Sequence, residues 1–197
     1  DTFVAMKWIG NRISFVDDQS KTTIVIHPKD IGWLKPLMGA WTSMWLTLGV
    51  IVICVSLNSK LTEQESIIII IFLGFWVYFA FKVMKSWFWL MWGKELIQID
   101  EVNLKYKKSI RKYGKSKSFL LENINKMTMH KTEEKSFQAA WEKSPWVIGG
   151  ERIEFEYSGK IVKMGRKLEQ KDAELLFKLL TKRVEVQVRK NRKSHSA

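Results

Sequence analysis

The sequence predicts a membrane-embedded pair of α-helices joined to an α+β domain of short strands and one C-terminal helix. Three observations carry this. Two long stretches, Leu37–Leu57 and Ile67–Phe81, contain no charged residue. Short segments with strand-like alternation and turn residues between them lie before and after those stretches. Close to the end, leucines recur at helical spacing.

Residues 1–32 form the first segment. "RISFVDDQSKTTIVIHP" reads as a strand, a polar turn at Asp17–Lys21 and a second strand rich in Thr, Ile and Val that Pro28 ends. A two-stranded hairpin is marginal alone, so this one is expected to lean on the domain that follows or on a partner. Residues 1–30 lack the apolar core of a cleavable signal peptide. Because the numbering begins at Asp1 and not Met, further natural N-terminal sequence is expected.

Residues 33–92 form a helical hairpin with spans at about 37–57 and 66–86. A helix needs roughly 20 apolar residues to cross about 30 Å of hydrocarbon. Leu37–Leu57 meets this directly. Ile67–Phe81 meets it when extended through Lys82 and Lys85, whose stems follow the helix while the ammonium groups reach the headgroups. Trp87, Trp89 and Trp92 then fall where indoles collect at the membrane–water boundary, as do Trp33, Lys35, Trp41 and Trp45 on the first span. The competing reading is a buried helix of a soluble protein. The run Ile67–Ile71 opposes it, being apolar on every face. Gly39, Ser43 and Thr47 form a small-residue stripe on the first span, suited to close packing on the second.

The 33 Lys+Arg and 20 Asp+Glu give a formal charge of +13. From Gly93 onward there are 25 basic and 14 acidic residues, while the loop "NSKLTEQES" between the spans has no basic excess. Basic residues concentrate on the cytoplasmic side, so both termini are expected there. The one cysteine, Cys54, lies within the first span and excludes an internal disulfide. His27, His130 and His195 are scattered without ligand spacing, and no metal or other cofactor is expected.

Residues 93–183 form the domain. "ELIQID" alternates, "NLKYKKSIRKYGKSKSFLLENINKMTMHK" reads as two strands linked around Gly114 with a third starting at Ile124, and 132–145 is a polar excursion. "WVIGGERIEFEYSGKIVKMG" is a hairpin turning at Ser158–Gly159. Leu168, Leu175, Leu176, Leu179 and Leu180 mark an amphipathic helix over 168–183, followed by a basic tail, 184–197. The pattern suggests a small barrel with the helix plugging one end. Through "WGKELIQIDEVNLKYKKS", "SFLLENINKMTM" and "IEFEYSGKIVKMGRKLEQKDAELLFKLL" the chain resembles the bacterial pleckstrin-homology-like (PH-like) membrane proteins, over about residues 90–183. The resemblance implies a PH-like barrel capped by its C-terminal helix, at the bacterial inner membrane.

No catalytic constellation stands out. "GKSKS" at 114–118 lacks the upstream glycine of a phosphate loop and sits at a strand turn, so an enzyme is not expected. The run 105–117 carries Lys105, Lys107, Lys108, Arg111, Lys112, Lys115 and Lys117 with no acid. One reading is a solvated edge whose lysines discourage aggregation. A second is contact with anionic membrane lipids. A third is RNA or ribosome contact, with Tyr106 and Tyr113 available for stacking. The expected function is a non-catalytic accessory or scaffold subunit that binds a larger membrane protein complex. A stand-alone lipid- or peptide-binding module is the alternative.

Overall fold

The computed structural model describes residues 5–18, 20–130, 144 and 149–195. The excursion at 132–145 therefore lies outside the described residues apart from Ser144. The chain divides into two compact units, residues 1–29 with 92–197, and residues 30–91.

In the first unit, β1 (Lys7–Ile9), β2 (Ile13–Asp17), β3 (Thr22–Ile26), β4 (Gly93–Ile99), β5 (Asn103–Ile110) and β6 (Ser116–Leu120) form one antiparallel sheet in chain order. Alternation fixes its register, because a slip of one residue would turn every apolar side chain outward. Thr22 faces Ile99, which faces Leu104, which faces Phe119; Ile24 faces Ile97, which faces Tyr106. All seven are buried. The β3–β4 pairing joins strands separated by residues 27–92. The N-terminal segment is thus part of this sheet, which runs across the boundary that the sequence reading draws between 1–32 and the domain.

A second antiparallel sheet holds β7 (Ile124–Met129), β8 (Glu151–Tyr157) and β9 (Lys160–Arg166). Its β8–β9 turn needs positive φ at both central residues, Ser158 (+49°) and Gly159 (+74°), which a serine–glycine pair tolerates. The two sheets do not close into one hydrogen-bonded barrel. A single 3-10 turn, Leu121–Asn123, interrupts the ladder between β6 and β7.

The C-terminal helix, α3 (Gln170–His195), places Ala173, Leu176 and Leu180 in the core that both sheets share. It corrects the sequence reading in three places. Leu168 is buried but precedes the helix, and Leu175 points outward at 51% exposure. The helix also continues well past Arg183, so most of the supposed tail is helical. Val184 and Val188 pack at the core margin, Arg183 pairs with Asp17, and Asn191 donates to the Glu101 carbonyl at 2.8 Å.

The second unit is a pair of helices, α1 (Leu34–Asn58) and α2 (Glu63–Trp92), about 37 and 45 Å long at 1.5 Å per residue. Both are long and apolar enough to cross a membrane. A reciprocal cap starts α2: the Glu65 carboxylate accepts from the Thr62 amide (2.8 Å) while the Thr62 hydroxyl accepts from the Glu65 amide (3.4 Å).

Candidate functional site: a helix seam and a charged junction

The less exposed residues of α1 include Met38, Thr42, Trp45, Gly49, Val52 and Ser56; those of α2 include Ile69, Leu73, Trp76, Ala80, Val83 and Trp87. The residues named step alternately by three and four, the spacing of a seam between helices packed nearly antiparallel with side chains interdigitated. Two tryptophans key the seam. A β-carbon on Gly49 would stand 2.0 Å from the Trp76 ring, and one on Gly39 would stand 3.1 Å from the Trp87 ring. Each indole N–H donates at 3.2 Å to the α1 carbonyl one turn before its glycine, Trp76 to Trp45 and Trp87 to Lys35. The glycines admit the rings, and the carbonyls hold the N–H groups.

The structure does not bring the three residues of the predicted stripe together in the seam. Gly39 packs under Trp87, but Ser43 and Thr47 are exposed, and the Thr47 hydroxyl donates back to the Ser43 carbonyl. A strict four-residue step advances 400° against the helix's 360°, so it drifts off the seam. Gly49 was missed for the same reason.

The outer faces carry the large apolar residues: Met44, Leu48, Ile51 and Val55 on α1, and Ile67, Ile70, Ile71, Phe75, Phe79 and Phe81 on α2, all exposed. Among the expected interface residues, Trp33 is 74% exposed, Trp41 stacks on Trp45 at 5.2 Å, and Lys35 pairs with Asp30 at 2.9 Å. Lys82 and Lys85 are exposed, the Lys82 ammonium 5.3 Å from the Tyr78 ring centre, and Trp89 is half-buried. Trp92 lies beneath the Arg111 guanidinium at 4.5 Å.

In the strand domain, the run 105–117 is dispersed. Lys105 pairs with Asp100 (2.7 Å), and Lys108 turns toward Glu151 (2.9 Å). Lys107 donates to the Lys112 carbonyl at 3.2 Å, while Lys112, Lys115 and Lys117 are exposed. Beside it lies a buried junction that the sequence reading missed. Glu95 is 1% exposed and accepts from the Tyr106 hydroxyl (2.9 Å) and from the Gly165 and Arg166 amides (2.9 and 3.0 Å). Its carboxylate links β4 of the first sheet to β9 of the second. Burial and this carboxylate together push the Tyr106 hydroxyl far up. Next to it Glu151 takes Arg166 (3.1 Å) as well as Lys108; burial opposes its charge, but the two cations hold its carboxyl below the usual range. The signal was available: Glu95 has the same parity as Ile97 and Ile99, the inward residues of "ELIQI".

Among the described residues, no group of three or more His, Cys, Asp or Glu is placed to hold a metal. No family model, curated protein or solved structure matches the chain.

Proposed function

We propose that this chain is an integral membrane accessory subunit, non-catalytic, whose cytoplasmic PH-like domain binds a larger membrane protein complex at a bacterial inner membrane. The observation that carries the membrane part is the inverted packing of α1 and α2. Glycine, alanine, threonine and serine are among the residues in the seam, while most of the isoleucines, phenylalanines and valines face outward. Water would not tolerate so much apolar surface on a folded unit; lipid would. Two sheets sharing one core, crossed by a C-terminal helix, support the PH-like reading. The placement of both termini in the cytoplasm rests on the basic excess after Gly93.

The domain's binding role is tested by purifying the tagged full chain from native membranes in mild detergent, alone and as Lys115→Glu/Lys117→Glu. These two lysines sit at and beside the open β6 edge. A stoichiometric companion present with the wild-type chain and depleted with the variant is expected. A wild-type chain that migrates alone would contradict the subunit reading.

A further inference from the structure

The last strand of the first sheet, β6, has one side bonded and one side open. Ile110 and Tyr113 close the β5–β6 turn by exchanging both backbone bonds, at 2.9 and 3.1 Å. The same register continues from Lys107 opposite Ser116 to Asn103 opposite Leu120. Bonded and non-bonded pairs alternate along an antiparallel ladder. Lys115, Lys117 and Phe119 therefore spend their backbone groups on β5, while Ser116, Ser118 and Leu120 turn theirs to the free side. The Leu121 amide, donating to the Val102 carbonyl at 2.9 Å, keeps the same alternation. Gly114 lets the two arms approach, since a β-carbon there would stand 2.1 Å from the Lys108 carbonyl oxygen. Among the described residues, no strand pairs with the free side of β6.

The side chains of this edge say what would fit it. Lys115 and Lys117 stand two residues apart and so share one face of the strand. Both are exposed, and neither forms an ion pair among the described residues. The other face carries Ser116 and Ser118, both exposed, and ends in Leu120 at 45% exposure. Free cations at alternate positions thus lie beside outward-turned amides and carbonyls. A second copy of this chain would bring the same lysines and another +13 of formal charge to the edge. Like charges facing each other across a strand pair destabilise it, and opposite charges stabilise it. The edge is complementary to an acidic strand.

We propose that β6 is the docking edge of this chain, and that an acidic extended segment of the partner subunit joins the sheet there, antiparallel, as its outermost strand. The backbone of that segment bonds Ser116, Ser118 and Leu120. Two of its carboxylates, two residues apart on one face, meet Lys115 and Lys117, and an apolar side chain lies against Leu120. Main-chain bonds supply affinity in such strand addition, and alternate side chains supply selectivity. This names the chemistry of the partner in the reading above and rests on the protein-complex part of that reading.

The test uses the full chain in mild detergent with a capped synthetic peptide, VTTETE, and its shuffle TEETTV, which puts the two glutamates on opposite faces. Affinity is read by anisotropy of the labelled peptides, and edge protection by amide hydrogen exchange. VTTETE should slow exchange at Ser116 and Ser118 and bind about tenfold more tightly than the shuffle, the worth of two cross-strand charge pairs. Lys115→Gln with Lys117→Gln should lose the same factor. Ser118→Pro removes one outward N–H, which an edge strand tolerates, and should abolish binding while the melting curve stays unchanged. Equal binding of the two peptides would overturn the proposal. So would binding that survives Ser118→Pro, which would assign the lysines to a polyanion such as RNA, held by charge alone. A wild-type dimer that Ser118→Pro dissolves would overturn it in favour of a second copy. No binding of VTTETE, with the companion still recovered from native membranes, would overturn strand addition and leave the subunit reading standing. Binding of VTTETE by a chain that has no companion would uphold the edge and remove the subunit reading.

Discussion

The strand domain and the helix pair solve opposite packing problems with the same residues. In the domain, isoleucine, leucine and phenylalanine go inward: Ile13, Ile24, Ile97, Leu104, Phe155 and Leu176 are at most 1% exposed. In the helix pair most isoleucines and phenylalanines go outward, and the buried positions include Thr42, Gly49, Ala80 and Ser86 beside Met38 and Leu90. On the proposed membrane reading, the difference reflects what each unit is built against. Water drives apolar side chains together. Lipid tails supply no such drive between helices, leaving close packing through small residues and polar contacts to hold them. The two indole N–H bonds to α1 carbonyls, at 3.2 Å, fit that second regime.

The sharpest way to break the comparison is to put one residue type where each unit forbids it. Leu176→Asp buries an unpartnered carboxylate in the shared core, at a site with 0% exposure. It should destabilise the domain by roughly 4 kcal/mol or more, read as loss of near-ultraviolet dichroism with the helical signal of α1 and α2 retained. Unchanged melting would mean that α3 does not close this core.

Glu95→Ala comes next. It leaves the Tyr106 hydroxyl and the Gly165 and Arg166 amides without their acceptor, at roughly 1–3 kcal/mol for a buried group left unsatisfied. Denaturant unfolding would measure it, and a neutral result would show that the sheets are not joined through this carboxylate.

In the helix pair the effect is smaller and depends on the face. Gly49→Leu drives a side chain into Trp76 and should cost about 1–3 kcal/mol of helix association. Thr47→Leu, on the outward face, should stay within about 0.5 kcal/mol. Equal effects at 47 and 49 would erase the seam.

The smallest effect concerns pH. Lys167 is lowered to about 8 from 10.5 by burial first and neighbouring cations second. A base held lower when folded binds fewer protons than the unfolded chain between those values, so its contribution to stability rises with pH there. Lys167→Met should therefore stabilise the domain at neutral pH, and the gain should fade between about 8 and 10.5. A gain that does not depend on pH would locate the effect in packing.

Local pattern made much of this fold legible. Uninterrupted apolar length marked α1 and α2, alternation marked β2, β3, β8 and β9, and a serine–glycine pair marked the β8–β9 turn. Whatever depends on distant partners stayed hidden. "TTIVI" announces a buried strand but not that its neighbour begins at Gly93, beyond residues 27–92. The end of α3 was misjudged because Val184, Val186 and Val188 alternate like a strand among basic residues. Asp17, Glu101 and the core margin, all far off in sequence, hold contacts with this part of the helix. The 105–117 run looked like one patch because sequence shows charge without direction. Asp100 and Glu151 redirect two of its lysines.

The central claim is that α1 and α2 form a seam-packed pair whose outer faces meet lipid. Nitroxide labels placed singly at positions 43, 47, 51, 70, 71 and 75, and at seam positions 42, 73, 80 and 83, test it directly in bilayers. Power saturation would compare collisions with oxygen, which partitions into lipid, against a water-soluble nickel chelate. The account predicts high oxygen and low nickel accessibility at the first six positions, with both low at the seam. Nickel accessibility at 70, 71 and 75 equal to that at exposed Lys160 would contradict it.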